Sequence, residues 1–262
     1  MLQPLNYQLP TNELADCYSL ILPVIKNNRL KSIGIYLFFV IYFSIPSLQI
    51  PILEYNGSRI TALMEQRAIE NYLLFYPHQS WVSIDNVNPV LLKAIISMED
   101  GAFFNHHGID WKEFYNSIRA NDRRGKTVRG GSTITMQLAK NLYLNTERSI
   151  FRKAKELVIA ARMEKELSKK SILEAYINAV EWGDGIFGID AASAEYFDKD
   201  PQDLTLMECS KLAAVIPSPL IHQPNVNSGY VRRRAGIIRG RLNDIILYPE
   251  KKDEQKRSKR IN

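Results

Sequence analysis

One stretch of the chain reads Ile95-Ile-Ser-Met-Glu99-Asp100-Gly-Ala-Phe103-Phe104-Asn-His106-His-Gly108-Ile-Asp110. A mostly apolar run, residues 91–96, leads into it, so adjacent carboxylates at Glu99 and Asp100 follow directly on a buried element. Phe103 and Phe104 would partly desolvate a carboxylate, and desolvation raises its pKa toward the range that is useful for proton transfer. The stretch therefore indicates an active-site acid or base. An Asp/Glu pair that caps a helix end is the alternative.

The composition is that of a globular protein. The 262 residues are 45% hydrophobic and 24% charged, which excludes a disordered or repeat protein and leaves room for one large domain and an appendage. The net charge of +6 favours an anionic partner: nucleic acid, a phospholipid surface or a phosphorylated substrate. Cys17 and Cys209 lack metal-binding spacing, so neither a disulfide scaffold nor a zinc site is expected, and Cys209 is predicted to pack in the core.

An uncharged apolar segment precedes the main part of the chain. Residues 32–53 carry no Asp, Glu, Lys or Arg, and about 20 helical residues cross a bilayer core, so we predict one transmembrane helix over this range. A cleaved signal peptide and a buried helix are the alternatives. The polar leader is too long for a signal peptide, and no small-x-small cleavage site follows. Pro46 and Pro51 leave the end of the helix open.

The charges beside this segment predict its orientation. Lys26, Arg29 and Lys31 precede it and Glu54 follows it. The positive-inside rule therefore keeps the N-terminal segment, residues 1–31, in the cytoplasm and exports the rest of the chain.

The exported part shows helical periodicity and no convincing strand alternation, so it should be mainly α. Residues 59–75 form an amphipathic pattern that fits either a helix near the membrane or an ordinary core helix. Residues 121–131 form a basic, glycine-bearing loop of the kind that orders when a ligand arrives, or else a solvated charge run. The tail, residues 249–262, is basic and should be disordered, where it could touch anionic lipid.

Two of the predicted helices carry polar faces. In the helix that follows Gly131, spacing places Thr133, Gln137, Lys140 and Asn141 on one face, which suits sugar and phosphate groups. In the helix from about residue 149, Arg152, Lys155 and Glu156 share one side. An exposed, salt-bridged helix is the alternative for the second pattern.

Five motifs in this order resemble the bacterial peptidoglycan glycosyltransferases, the family shared by monofunctional transglycosylases and the N-terminal domains of class A penicillin-binding proteins. They are Glu99-Asp100-x-x-Phe103-Phe104-x-His106-x-Gly108-x-Asp110, Gly131-Ser-Thr-Ile-Thr-x-Gln137-Leu-x-Lys140-Asn141, Arg152-Lys153-x-x-Glu156, Lys169-x-x-Ile172-Leu-Glu-x-Tyr176-x-Asn178 and Glu181-Trp-Gly-Asp-Gly-x-Phe-Gly188. Five ordered motifs are specific, whereas one alone would be weak.

The resemblance implies a mainly α fold: a lysozyme-like glycosyltransferase lobe and a small membrane-associated jaw lobe over residues 54–248, preceded by the transmembrane helix. It implies that lipid II is polymerised into glycan strands with inversion at the anomeric carbon and release of undecaprenyl pyrophosphate. No Ser-x-x-Lys motif occurs, so no transpeptidase activity is expected. The implied location is the bacterial inner membrane, with the catalytic domain on the periplasmic side.

The resemblance also assigns site residues. Glu99 would be the base that deprotonates the acceptor hydroxyl, and Glu156 would assist the leaving group. The expected substrate-binding residues are Asp100, Phe103, His106, Ser132, Thr133, Gln137, Lys140, Asn141, Arg148, Arg152 and Lys153. A loosely bound divalent cation, magnesium or manganese, is expected near Asp100 or Glu156.

The expected partners are lipid II, the growing glycan strand, membrane lipids and other wall-synthesis and division proteins, and no nucleic acid. Met136 replaces the first of two glutamines that the second motif usually carries. Two other functions stay open at this point. A lysozyme-like hydrolase would also use two carboxylates but would pass the sugar to water. A catalytically inactive scaffold would only recruit other wall-synthesis enzymes.

Overall fold

The computed structural model describes residues 29–43, 50, 53, 60–70, 78–124, 131–147 and 149–248. The chain divides into two compact units, Met1–Ile45 and Pro46–Asn262. Several predictions fall outside the described residues: the basic tail, most of the loop 121–131, Arg148, and residues 44–49, 51 and 52 of the predicted membrane span.

The first unit contains one described helix, α1 (Arg29–Phe43). Large apolar side chains on it are exposed, among them Ile33, Tyr36 and Phe38. Within the described ranges, no helix is both long enough and apolar enough to span a membrane.

The second unit is mainly helical, as the periodicity predicts. In chain order its helices are α2 (Ala62–Glu70), α3 (Pro89–Glu99), α4 (Trp111–Arg124), α5 (Ile134–Tyr143), α6 (Ile150–Glu166), α7 (Lys169–Ala179), α8 (Ile189–Phe197), α9 (Leu206–Val215) and α10 (Gly229–Arg241). Short 3₁₀ turns occur at Ile84–Asn86, Phe103–Asn105 and Leu242–Asp244.

Side-chain caps explain where several of these helices begin. Asn88 accepts a hydrogen bond from the Val90 amide, and Pro89 takes the first helical position of α3, where its missing N–H costs nothing. Ser149 and Ser168 cap α6 and α7 in the same way. Thr205 begins α9 with a reciprocal capping box.

Helix packing places the ends of α3 and α5 beside each other. Helix α3 packs against α9 and α10, while α5 packs against α6 and α7. Leu91, Ile95 and Ile96 on α3 and Ile134 and Leu138 on α5 are almost fully buried. This buried apolar surface fixes the C-terminus of α3, which carries Glu99, and the N-terminal half of α5.

A small sheet accompanies the helices, although the sequence pattern predicted none. Strand β1 (His78–Gln79) pairs in parallel with β3 (Ile186–Phe187), and β2 (Glu181–Gly183) pairs antiparallel to β3. The fifth motif, residues 181–188, therefore contains a hairpin. Strands of two or three residues are too short to show the alternation that marks a strand in sequence.

Candidate active site

The Glu99 carboxylate lies at the end of α3 and is held by an amide from α5. The Nε2 atom of Gln137 donates a hydrogen bond to Oε2 of Glu99 at 2.8 Å. The Oε1 atom of Gln137 accepts a hydrogen bond from the hydroxyl of Tyr176 on α7 at 2.9 Å. Both ends of the predicted substrate-binding amide are thus engaged within the protein.

The environment of Glu99 favours proton acceptance. Burial raises the pKa of its carboxyl, and the hydrogen bond from Gln137 and the positive charges of Arg234 and Lys140 partly oppose that increase. The adjacent carboxylate of Asp100 raises the pKa further. A carboxylate with a raised pKa is a better proton acceptor than an ordinary exposed one. The sequence analysis predicted that desolvation raises the pKa of a carboxyl group in this stretch, and the raised pKa of Glu99 agrees with that prediction.

Asp100 lies in the protein interior, where its side chain is 3% exposed. Its two carboxylate oxygens lie 2.9 and 3.0 Å from Nε2 of His106, which donates to them. The Oδ2 atom also accepts from the backbone amide of Ile134, the first residue of α5, at 3.0 Å. Asp100 and His106, both predicted to bind substrate, therefore join the end of α3 to the start of α5.

Phe103 is also buried beneath the site rather than exposed in it. The Nζ atom of Lys169 lies 4.3 Å from the centre of the Phe103 ring and 2.7 Å from Oε1 of Glu164. A cation over an aromatic face is attracted by the electrons of the ring. Phe103 is therefore packed in the protein interior, and a contact of its ring with substrate stays a prediction.

The predicted polar face of α5 is only partly present. Gln137 and Lys140 are half-buried on it, but Asn141 is buried and Thr133 is the N-cap. The hydroxyl of Thr133 donates to the carbonyl oxygen of Gly108 at 2.5 Å and accepts from the Met136 amide at 3.2 Å. Met136 is fully buried, so its side chain belongs to the core and not to that face.

The second carboxylate, Glu156 on α6, is 2% exposed and lies between two cations. Its Oε2 accepts from Nη1 of Arg152 at 2.6 Å, and its Oε1 accepts from Nζ of Lys153 at 2.5 Å. Lys153 also donates to the Ser132 hydroxyl at 2.9 Å. An open depression at this end of α6 is lined by Ser149, Ile150, Arg152 and Lys153.

Lys140 on α5 is influenced electrostatically by both carboxylates, Glu99 and Glu156. Burial lowers the pKa of its ammonium group, while the negative charges of Glu156 and Glu99 act in the opposite direction. The positive charges of Arg152 and Lys153 also act on it. Contacts to α5 bring the two carboxylates toward one region: Gln137 on this helix binds Glu99, and Ser132 just before it accepts from Lys153, which also binds Glu156. Arg152 and Lys153 together outweigh the single negative charge of Glu156, which leaves a positive charge for an anionic ligand.

Arg234 on α10 is a site residue that the sequence interpretation missed. Its charge acts on Glu99, and its guanidinium carbon lies 5.4 Å from the centre of the Tyr230 ring. Its Nε atom is buried and has no hydrogen-bond partner among the described residues. Helical spacing in the sequence could have pointed to Arg234. Val231, Ala235 and Ile238 are the buried positions of α10, and Arg234 borders that buried face.

The site residues do not fit a protein-held divalent ion. Among the described residues, no group of three or more His, Cys, Asp and Glu side chains could hold a metal. The oxygens of Asp100 are engaged by His106 and Ile134, and those of Glu156 by Arg152 and Lys153. The expected ion near Asp100 or Glu156 therefore finds no set of ligands in these side chains.

Comparison with known proteins defines the class. The family model described as transglycosylase matches residues 65–243, which include both carboxylates and every motif named above. The match covers more than half of the chain, and the chain therefore belongs to the transglycosylase family.

Individual relatives agree with this assignment. The chain is 37% identical to a biosynthetic peptidoglycan transglycosylase of Laribacter hongkongensis over 197 residues, which cover 74% of this chain and 86% of that protein. It is 42% identical to the Acinetobacter baylyi protein of the same name over 149 residues, 57% of this chain and 66% of that protein. The protein of that name from Chromobacterium violaceum is 40% identical over 162 residues, 62% of this chain and 71% of its own length.

Proposed function

We propose that this peptidoglycan glycosyltransferase, which polymerises glycan chains, uses lipid II as its substrate and releases undecaprenyl pyrophosphate. The observation that carries the proposal is the pair of cations bound to the buried Glu156 carboxylate, Arg152 at 2.6 Å and Lys153 at 2.5 Å, with Lys153 joined through Ser132 to the start of the helix whose Gln137 binds Glu99. A proton acceptor thus shares one site with a cationic cluster, and a sugar joined to a diphosphate requires both groups.

In the proposed reaction, Glu99 takes the proton of the acceptor sugar's 4-hydroxyl as that oxygen attacks the anomeric carbon of the donor. The new bond joins the acceptor oxygen to this carbon, and the bond between the carbon and the pyrophosphate oxygen breaks with inversion. The electron pair leaves with the pyrophosphate. Lys140, Arg152 and Lys153 stabilise the charge that develops there, because preorganised cations act most strongly where charge appears in the transition state.

Glu156 has a different part in this reaction, because both of its oxygens already bind cations. It keeps Arg152 and Lys153 in place and limits their mutual repulsion. Arg148 is proposed to join them on the diphosphate, as the resemblance implies.

The test is incubation of the detergent-solubilised protein with labelled lipid II, followed by separation of polymer from monomer. Polymer together with undecaprenyl pyrophosphate is the expected product. Shortening of preformed glycan strands by the same protein, without polymer formation, would instead show a hydrolase.

We also propose that residues 32–53 anchor the chain in the cytoplasmic membrane with residues 1–31 inside and the catalytic part outside, where a small jaw lobe contacts the lipid. The uncharged sequence of this segment and the lysines and arginine before it support this topology. An export reporter fused after Arg59 should be active, and one fused before Lys26 should be silent. A silent fusion after Arg59 would contradict the topology.

A separate proposal, which comes from the family resemblance, is that polymerisation depends on magnesium or manganese. Because the carboxylates offer no ligand set, no step above depends on an ion. Polymerisation that decreases after chelation and recovers on addition of either ion would support it, and unchanged polymerisation after thorough chelation would contradict it.

A further inference from the structure

Tyr176 is a fully buried residue of α7 to which the proposed reaction gives no role. Its hydroxyl lies 2.9 Å from Oε1 of Gln137, whose Nε2 lies 2.8 Å from Oε2 of Glu99. Three side chains from three helices thus form one chain of hydrogen bonds that ends on the catalytic carboxylate.

The chemistry of the two ends fixes the direction of this chain. An ionised carboxylate can only accept hydrogen bonds, so Gln137 must present its NH₂ group to Glu99. The oxygen of the same amide must then face Tyr176, whose hydroxyl must donate. Burial raises the pKa of Tyr176 well above its ordinary value, and the hydroxyl therefore keeps the proton that it donates.

Removal of the hydroxyl would free the amide to turn over. The amide oxygen and NH₂ group are similar in size, and only their partners decide which of them faces Glu99. In the reversed orientation, the amide oxygen would face the carboxylate and repel its negative charge. With the hydroxyl in place only one orientation of the amide satisfies both of its partners, so Tyr176 fixes Gln137 as a donor toward Glu99.

We infer that Tyr176 is a positioning residue: through the Gln137 amide it holds the Glu99 carboxylate in the orientation that leaves Oε1 for the proton of the acceptor hydroxyl. Among the described residues, Oε1 of Glu99 has no hydrogen-bond partner, whereas Oε2 accepts a hydrogen bond from Nε2 of Gln137. The inference rests on the proposed function, since it assigns the oxygen that the reaction uses.

The other charges that face Glu99 stay in place when Tyr176 is changed. They are Asp100 beside it, Lys140 on α5 and Arg234 on α10. A change in the ionisation of Glu99 after loss of the Tyr176 hydroxyl therefore reports on the Gln137 amide and not on these groups.

The decisive experiment is the pH dependence of lipid II polymerisation by Tyr176→Phe. A less firmly held donor stabilises the ionised carboxylate less, so the acidic limb of the profile should move to higher pH by up to about one unit, the effect of losing one hydrogen bond to a charged group entirely. At pH values well above that limb the rate should return to within about three-fold of wild type. A purely structural role would lower the rate equally at every pH.

Tyr196→Phe is the matched control. Its hydroxyl donates to the Trp182 carbonyl oxygen at 3.3 Å, away from Glu99. The same single atom is lost, and the acidic limb should stay where wild type has it.

Gln137→Leu provides a second route if Tyr176→Phe fails to fold. It should move the acidic limb in the same direction, and the double variant should move it no further than Gln137→Leu alone, because both changes remove one interaction. Additive displacement in the double variant would overturn the inference, and so would an unmoved limb in whichever variants fold.

An NMR titration of ¹³C-labelled glutamate carboxyls separates this inference from the proposed function. The Glu99 signal is identified by its absence from the spectrum of Glu99→Gln. It should titrate at higher pH in Tyr176→Phe than in wild type, whether or not lipid II is polymerised. An unchanged Glu99 titration would overturn the inference, whereas absence of polymer from the wild-type protein would contradict the proposed function alone.

Discussion

Arg152 and Glu156 lie one helical turn apart on α6, and Nη1 of Arg152 donates a 2.6 Å hydrogen bond to Oε2 of Glu156. Lys153 binds the other oxygen of the same carboxylate. A single buried carboxylate thereby fixes two of the cations that we assign to the diphosphate.

Glu156→Gln should disturb both stability and substrate handling. A neutral amide cannot balance two cations, so the free energy of unfolding should decrease by about 1–3 kcal/mol, less than for a fully buried ion pair because Lys153 is one-third exposed. The KM for lipid II should increase together with a decrease in kcat. Urea denaturation and steady-state kinetics measure the two effects. An unchanged denaturation midpoint would show that Glu156 does not hold these cations.

Glu99→Gln should stop polymerisation while the fold remains. The amide has the size of the carboxylate and can still accept from Gln137, but it cannot take a proton, so the rate should decrease by about 10²- to 10⁴-fold. Affinity for lipid II should change only slightly. Glu174→Gln is a matched control. Glu174 lies on α7, and its carboxylate accepts a hydrogen bond from the Ile84 amide instead of from Gln137. Wild-type turnover by Glu99→Gln would contradict the assignment of the base.

Lys140 should set the alkaline limit of activity. Burial lowers the pKa of its ammonium group, so as the pH increases the proton is lost earlier than from an ordinary lysine. In Lys140→Arg the guanidinium stays charged, and the alkaline limb of the rate profile should move to higher pH. Lys170→Arg, at an exposed lysine paired with Asp85, should leave that limb unmoved. Identical alkaline limbs in Lys140→Arg and wild type would show that deprotonation of Lys140 does not set the alkaline limit of activity.

Met136→Gln should destabilise the protein. The motif alone suggests that glutamine fits this position, but the side chain here is fully buried. Burying an unpaired amide costs about 1–3 kcal/mol, which urea denaturation would detect. Met136→Leu, which conserves volume, should cost less than about 1.5 kcal/mol. Equal stability of Met136→Gln and wild type would place the side chain at the surface.

Asp100→Asn should lower the stability of the protein more than it lowers the catalytic activity of the folded protein. Asparagine can accept one of the hydrogen bonds from His106 and Ile134, but it loses the negative charge at the start of α5. The free energy of unfolding should decrease by about 1–3 kcal/mol, and the activity of the folded fraction should stay within about ten-fold of wild type. A rate loss as large as that of Glu99→Gln, in a protein of normal stability, would give Asp100 a direct part in the reaction.

Local sequence signals predicted the helices because caps and apolar spacing act over a few residues. Asn88-Pro89 marks the start of α3, and the hydroxyl residues before α5, α6 and α7 mark theirs. The motifs also named both carboxylates. What a helix face presents to its neighbours was less predictable: Thr133 and Asn141 share spacing with Gln137 and Lys140, yet they are buried.

The remaining features depend on contacts between segments far apart in the sequence. Arg234 reaches Glu99 from a helix more than 100 residues further along the chain, and Tyr176 reaches it through Gln137. No local pattern records such pairings, because they exist only after α3, α5, α7 and α10 have packed. The two- and three-residue strands are set by the same tertiary contacts.

The different hydrogen-bond partners of Glu99 and Asp100, together with the proposed function, imply two different evolutionary pressures at neighbouring codons. Glu99 accepts from the Gln137 side chain and is the proposed base, whereas Asp100 accepts from the first amide of α5 and so joins α3 to that helix. A homologue that has abandoned catalysis but still folds is expected to lose the glutamate first and to retain the aspartate. If Glu99 is the base as proposed, loss of this glutamate with retention of the aspartate is the expected mark of a pseudoenzyme in genome surveys.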